Sequence, residues 1–491
     1  MNSYVLLIAL VVATGGFVFG VDSGIIATTL GHKTFAVYMY GPSAKNASLT
    51  GAIVSLYNAG QAMGTFITGY SADRFSRRWT ICAAGMMATF GAALQTAAQN
   101  VGMMIAGRFF AGLACGMILA VVPVYIAEVS PPKNRGFIVG LQGMMISIGF
   151  MVANWIGYAG GYASGNAQWR IPLAMQMPGA ILLSIGCFFI PYTPRWLVGK
   201  ERYDEAKAVI IRLRGEQTEN FLAQEFTQIH DQILLENEGR NTGLVSSIGK
   251  LFSKQYFRRT ATACFILMMG QLSGSTVIQN YQSIFYAAVG YTGRTGLLIS
   301  GIYGFMGVFG QIAYLAFVAD KWMRTRTLSG IGSGFLCVMI SIIMALSAEF
   351  GAGTTDQSGP RAAIAFIFIY SFGYALFFNA MVWVVPVELF PFFLRSKGLG
   401  LAVFSKAVVA IVLAQITPIA IEHVHWRYYS LFIASNFAAG LIYYFFLPET
   451  KGKSLEDIAE LFGDALATEQ LEDIDTSGKE GMHPTKHVEN A

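Results

Sequence analysis

"EVSPPKNR" at residues 128–135 returns as "ELFPFFLR" at residues 388–395, the same E-x-x-P-x-x-x-R pattern written twice in one chain. A second motif recurs around it. "GYSADRFSRR" (69–78) precedes the first copy and "VADKWMRTR" (318–326) precedes the second, each with an acid, a base and then further arginines. Two independent motifs repeated in the same order mark an internal duplication. The chain therefore consists of two related halves, and the stretches between the motifs must show what those halves are made of.

Those stretches are apolar. Of 491 residues, 54% are hydrophobic and 12% are charged, with a mean hydropathy of +0.51. A water-facing domain carries about 25% charged residues, so much of this surface must face lipid. Windows of about 20 residues pick out apolar runs near 5–29, 50–72, 79–99, 102–127, 136–159 and 169–191, then 261–289, 295–319, 328–348, 361–387, 397–421 and 427–447. The predicted fold is an all-α membrane protein, with twelve transmembrane helices in two pseudo-symmetric six-helix bundles. Residues 1–191 form the N-terminal bundle, 192–260 a cytoplasmic helical linker, 261–452 the C-terminal bundle and 453–491 a polar, acidic cytoplasmic tail, expected to be largely disordered.

The first apolar run starts almost at Met1, lacks a basic leader and is long enough to span, so it is expected to remain as helix one. The five cysteines all fall in apolar runs without paired spacing, which argues against disulfides and metal sites. Basic residues beside spans mark the cytoplasmic side. "DRFSRRW", "PPKNRG", "DKWMRTRT", "RSK" and "ETKGK" occupy alternate loops, which predicts that both termini are cytoplasmic. The same parity puts "AKNASLT" (44–50) outside, where Asn46 heads a glycosylation sequon.

Acids and arginines at helix ends just inside a membrane pair where water is scarce. Asp73, Arg77, Arg78, Glu128 and Arg135 in the first half, and Asp320, Arg324, Glu388 and Arg395 in the second, are candidates for a latch that shuts the inner face. The competing reading is that they only set topology. A lone acid, Asp22, also stands inside "GGFVFGVDSGIIATTL" (15–30). An ionised Asp at mid-bilayer costs about 2.5–3.5 kcal/mol on insertion scales, so it needs a proton or a cation.

With these residues assembled, the chain resembles the sugar porter family of the major facilitator superfamily. The resemblance rests on "FGVD" (19–22), "DRFSRR" (73–78), "GRFFAGLACG" (107–116), "PVYIAEVSPPKNRG" (123–136), "WRIP" (169–172), "TPRW" (193–196), "GQLSG" (270–274), "VADK" (318–321), "PVELFP" (386–391) and "PETKG" (448–452). "LQGMMISIGFMVANWIGY" and "IQNYQSIFY" are similar to fungal-type members. The resemblance implies a plasma-membrane uniporter or proton symporter working by alternating access, usually as a monomer, with a substrate site near the midplane between the halves.

In that family, proton symporters carry an acid where Asp22 stands, and its usual partner, an arginine of the fourth span, matches Arg108. Burial favours the neutral carboxyl and a nearby guanidinium favours the charged one. A helix movement that changes their separation would therefore link protonation to conformation. A static ion pair, or an Asp reaching for the outer surface, is the alternative.

The expected cavity residues are Phe19, Gln142, Gln271, Thr276, Asn280, Trp383 and Lys406. Several depart from the family pattern. "GQLSGST" replaces a run with two glutamines and an asparagine, Gly143 falls where a glutamine is usual with Gln142 beside it, and Val308 aligns with an asparagine. Lys406 replaces another asparagine; it either snorkels to the cytoplasmic interface or faces the cavity as a cation, which would suit a sugar acid or cyclic polyol acid. Gln279 and Asn280 serve either helix packing or ligand contact. Tyr281 matches an outer-gate tyrosine, and Arg195 is kept although "PYTPR" lacks the family's acid at Tyr192.

The expected partners are a sugar or sugar acid, protons and the lipid bilayer, with no nucleic acid, metal or cofactor. No zinc motif and no catalytic serine or aspartate pair suggests an enzyme. A non-transporting nutrient receptor is the rival from another class; such receptors tend to have long cytoplasmic tails, and this one is only about 40 residues.

Overall fold

The computed structural model describes residues 3–41, 46–131, 135–215, 217–238, 249–288, 290–291, 293–319, 321–349, 358–451, 458 and 462. Among them the regular structure is entirely helical. The spans follow the apolar windows: Ser3–Gly31, Ala47–Arg74, Arg77–Thr96, Val101–Val129, Arg135–Gly160, and a sixth broken into Ala167–Ala174 and Met177–Gly186. In the second half they are a seventh in three pieces (Lys254–Leu272, Ser275–Asn280, Gln282–Ala288) and an eighth, Arg294–Ala313, continued by a π-helical turn, Tyr314–Val318. The ninth runs from Arg324–Arg326 through Thr327–Ser333 to Gly334–Glu349, and the tenth from Ser358–Tyr374 through Ala375–Asn379 to Met381–Leu389. Phe392–Val424 and Tyr429–Phe446 complete the twelve.

Side chains beside the helix starts fix several boundaries. Asn46 and Asn100 accept the Leu49 and Met103 N–H groups at 3.0 and 2.8 Å, satisfying donors that a helix start leaves open. Asn46, the residue of the predicted sequon, is thus the cap of the second span. Ser76 caps the third span from a left-handed backbone, φ +94°.

Small residues set the distances between helices, because without a hydrophobic drive in lipid it is close packing that holds spans together. A Cβ on Gly60 or Gly64 would sit 2.2 or 2.1 Å from the carbonyls of Phe109 and Leu113, and one on Gly112 or Gly116 equally close to Tyr57 and Gln61. Spans 2 and 4 therefore meet backbone to backbone. Between the bundles, span 2 packs along span 11 and span 5 along span 8, and a cavity opens where spans 1, 2, 5, 7, 10 and 11 meet. Two linker helices, Tyr203–Arg214 and Glu219–Glu238, lie at the end that carries the basic loops, where Arg214 donates to the Val129 carbonyl and pairs with Glu225.

Candidate functional site

The cavity at the bundle interface opens onto about 670 Å³ of empty space. Span 1 contributes Phe19 and Ser23, span 2 Tyr57, Asn58 and Gln61, span 7 Gln271, Thr276, Gln279 and Asn280, span 10 Tyr374, Asn379 and Trp383, and span 11 Lys406. A second hollow of about 450 Å³ shares Phe19, Ser23, Gln279, Tyr374 and Asn379 and extends it toward Ser147, Tyr303 and Ser371. Span 7 can present four polar side chains because its helix breaks at Gly274, whose φ of +93° admits glycine without strain. The structure thus gathers Phe19, Gln271, Thr276, Asn280, Trp383 and Lys406 around one space.

Gln142 is the exception. It lies one turn toward the basic end from Ile146, which does line the cavity, and it packs against span 1, where a Cβ on Gly16 would stand 3.2 Å from its Cγ. The helical face was right and the height was wrong. Gly143 beside it is no vacancy either: its carbonyl accepts Asn379 Nδ2 at 3.2 Å, while Asn379 also reaches Ser147 Oγ at 3.0 Å and Gln311 Oε1 at 3.1 Å. One amide of span 10 thus ties spans 5 and 8 together.

The sequence reading missed Asn58, Gln61 and Asn379 as cavity residues. Asn58 and Gln61 are polar at i, i+3 in the apolar "SLYNAGQAMG" (55–64), a signal for one shared helix face. Asn379 is a lone amide in "LFFNAMVW" (376–383).

Behind this wall lies Asp22, 3% exposed. Arg108 Nη1 stands 3.2 Å from Asp22 Oδ1 and 3.1 Å from its backbone carbonyl, and the Cys115 thiol donates to Oδ2 at 3.4 Å. The guanidinium also rests 4.1 Å from the centre of the Tyr57 ring, a cation–π contact that leaves it sandwiched between acid and ring. Roughly 13 Å of helix, at 1.5 Å per residue, separates Asp22 from the end of its span at Gly31. The acid is paired inside the bundle and does not reach the outer surface. Cys115, Tyr57 and Phe19 pack together, so one layer of side chains divides the ion pair from the cavity.

Lys406 sits deep in span 11, about 21 Å of helix from its start at Phe392. Its ammonium lies 5.0 Å from the Phe19 ring centre and 5.2 Å from that of Trp383. It faces the cavity and does not snorkel to the interface.

At the basic end the duplicated motifs form duplicated ion pairs. Arg77 pairs with Glu128 at 3.3 Å and with Asp73 at 3.4 Å, and Arg324 pairs with Glu388. Each arginine–glutamate pair joins helices of the same bundle. Among the described residues, contacts that cross between bundles here include Asp73 to Lys397 at 3.7 Å and Ser396 Oγ to Asp73 at 3.5 Å. Thr450 of "PETKG" bridges Arg324 and Glu388 by accepting at 3.1 Å and donating at 2.9 Å.

Arg78 takes no part in these pairs. It donates to the Phe188 carbonyl at 3.0 Å and lies over Trp79 and Tyr192. Tyr192, where the family's acid is missing, stacks on Trp196 and offers its ring to Arg78 and Arg202. Arg195 stands on the short helix Pro194–Val198 between them. Arg395 donates to the Phe390 carbonyl of its own turn. The Arg135 side chain and Asp320 lie outside the described residues. Tyr281, at the last break of span 7, donates to the Ala414 carbonyl of span 11 at 2.6 Å, within the second bundle.

The family described as "Sugar (and other) transporter" matches residues 8–462. The MFS-type transporter criB of Aspergillus cristatus is 34% identical over 464 residues, covering 94% of each chain. A high-affinity glucose transporter of Kluyveromyces lactis is 28% identical, over 94% of this chain and 85% of that one. A quinate permease of Neurospora terricola is 32% identical, over 90% and 86%. Among solved structures, the proton:xylose symporter XylE bound to 6-bromo-6-deoxy-D-glucose superposes with a TM-score of 0.81 at 22% identity, covering 94% of this chain and all of that one, which establishes the same fold. This chain is a multi-pass membrane protein of the sugar transporter family within the major facilitator superfamily.

Proposed function

We propose that this protein is a proton-coupled symporter that imports a sugar-like polyol by alternating access, in the plasma membrane, with both termini cytoplasmic and with Asp22 carrying the proton. The observation that carries the reading is the buried Asp22–Arg108 pair one side-chain layer behind a polar cavity at the joint of the two bundles. A neutral amide would suffice to pack span 1; an ionisable acid there costs stability unless its charge is used. Protonation of Asp22 releases Arg108, and Phe19, three residues earlier on the same helix and part of the cavity wall, moves with that helix. Proton and solute thereby bias the same rocking equilibrium.

The named relatives support the substrate class: transporters of glucose, of quinate and of xylose all carry hydroxylated solutes. Asn58, Gln61, Gln271, Gln279, Asn280 and Asn379 supply amides that both donate to and accept from hydroxyl groups, and Trp383 offers a flat face for a ring. The Asp73–Lys397 contact serves as the cross-bundle inner latch, and the arginine–glutamate pairs stiffen each bundle. Each proton entering gains about 2.3 kcal/mol per 100 mV, enough to concentrate solute. The test is uptake by proteoliposomes with and without a pH gradient. Wild type is expected to accumulate solute uphill, and Asp22→Asn to exchange solute without accumulating it; uphill accumulation by the variant would refute the role of Asp22.

A further inference from the structure

We infer that the solute this cavity accepts carries one carboxylate, and that Lys406 is the cation that binds it. The inference deepens the transport reading above and rests on it. Every other buried cation discussed so far meets an acid or a carbonyl: Arg108 meets Asp22, Arg77 meets Glu128, Arg324 meets Glu388 and Arg395 meets the Phe390 carbonyl. Lys406, 7% exposed, makes neither an ion pair nor a hydrogen bond with any described residue, and its neighbours are the Phe19 and Trp383 rings.

A ring face attracts an ammonium by about 0.5–2 kcal/mol. Burying an ion costs several kcal/mol even after relaxation. Two ring contacts recover only part of that cost; a carboxylate in the cavity would recover more, and no described residue places one there: the other polar lining groups are neutral amides and hydroxyls, and Asp22 is engaged by Arg108.

Charge balance narrows the ligand. A monocarboxylate cancels the single positive charge, whereas a phosphate ester brings about −1.5 to −2 and finds no arginine on the cavity wall to share it. The amides satisfy hydroxyls, and Trp383 covers one ring face. The ligand class is a cyclic polyol or sugar bearing one carboxylate, held with its acid end toward span 11.

The experiment measures equilibrium binding to the purified full-length protein, without any proton gradient, using matched probes: glucuronate against glucose, and quinate against inositol. In wild type at least one acid is expected to bind ten or more times tighter than its neutral counterpart. Lys406→Gln should lose at least tenfold for the acid, with a much smaller change for the neutral probe and no loss of thermal stability, and Lys406→Arg should keep the preference. Equal affinity for acid and neutral probes in wild type, no binding of either acid, or a preference surviving in Lys406→Gln would each overturn the inference. Since no gradient enters the measurement, a protein that binds the acid but never concentrates it would sink the symport reading and leave this one standing.

Discussion

In the first bundle the buried cation Arg108 is met by a carboxylate at 3.2 Å and by a backbone carbonyl, whereas in the second bundle Lys406 ends between two aromatic rings with no acid beside it. Both lie close to the same cavity. The first arrangement is closed on itself and changes only if a proton enters. The second stays open until a ligand arrives. In the proposed mechanism the first half stores the proton, the second supplies the cation for a solute held by amides of both halves, and Phe19, which touches both the Lys406 ammonium and the packing around Cys115, joins them.

The same comparison holds at the basic end, with a different outcome. Arg77 has a second carboxylate, Asp73, besides Glu128, while the Arg324–Glu388 pair is backed by the Thr450 hydroxyl. Duplication preserved the pair, and the second copy carries the Thr450 hydroxyl beside it.

The sharpest way to break the division between the halves is Arg108→Met, which leaves Asp22 buried without its cation. Removing one partner of a buried pair costs about 3–5 kcal/mol, so a large fall in thermal stability that recovers at low pH, where Asp22 is neutral, is expected, together with loss of uphill uptake. Differential scanning fluorimetry across pH reads the first effect. The probe series with Lys406→Gln, described above, tests the other half and should move acid affinity tenfold or more without lowering stability.

Smaller effects sharpen the comparison of the ion pairs. Glu388→Gln and Glu128→Gln each leave a buried guanidinium less well met, at about 1–3 kcal/mol. Both variants are expected to melt below wild type; thermal melts of the two purified variants measure the loss. Asp73→Asn is the mildest. Its side chain is 27% exposed, and partly exposed pairs contribute at most about 1 kcal/mol, so it should shift the inward-open share no more than about fivefold. Accessibility of a cysteine placed on the inner side of the cavity reports that share.

Much of this was legible in the chain because lipid leaves few options. Backbone groups must pair within a span, so the twelve apolar windows became twelve spans, and the repeated E-x-x-P-x-x-x-R fixed their pairing into halves. Asp22 stood out because charge in an apolar run demands a partner, and the family resemblance pointed to Arg108. What stayed hidden depends on register and height. The helical period puts Gln142 and Ile146 on one face, yet only the latter reaches the cavity, since a turn of helix shifts a side chain by about 5.4 Å. Asn379 shows polarity but not aim: a π-helical turn at Ala375–Asn379 sets its direction, and no residue in "ALFFN" announces one. Arg78 and Arg77 are adjacent and identical in type, and only the packed structure shows one on Glu128 and the other on Tyr192.

The central claim is that Asp22 exchanges a proton each time solute crosses. Its most direct test records the pH outside proteoliposomes when solute is added with no imposed gradient. Wild type is expected to draw protons inward and alkalinise the medium in step with solute entry, while Asp22→Asn admits solute with the external pH unchanged. Proton uptake of equal size in Asp22→Asn would contradict it.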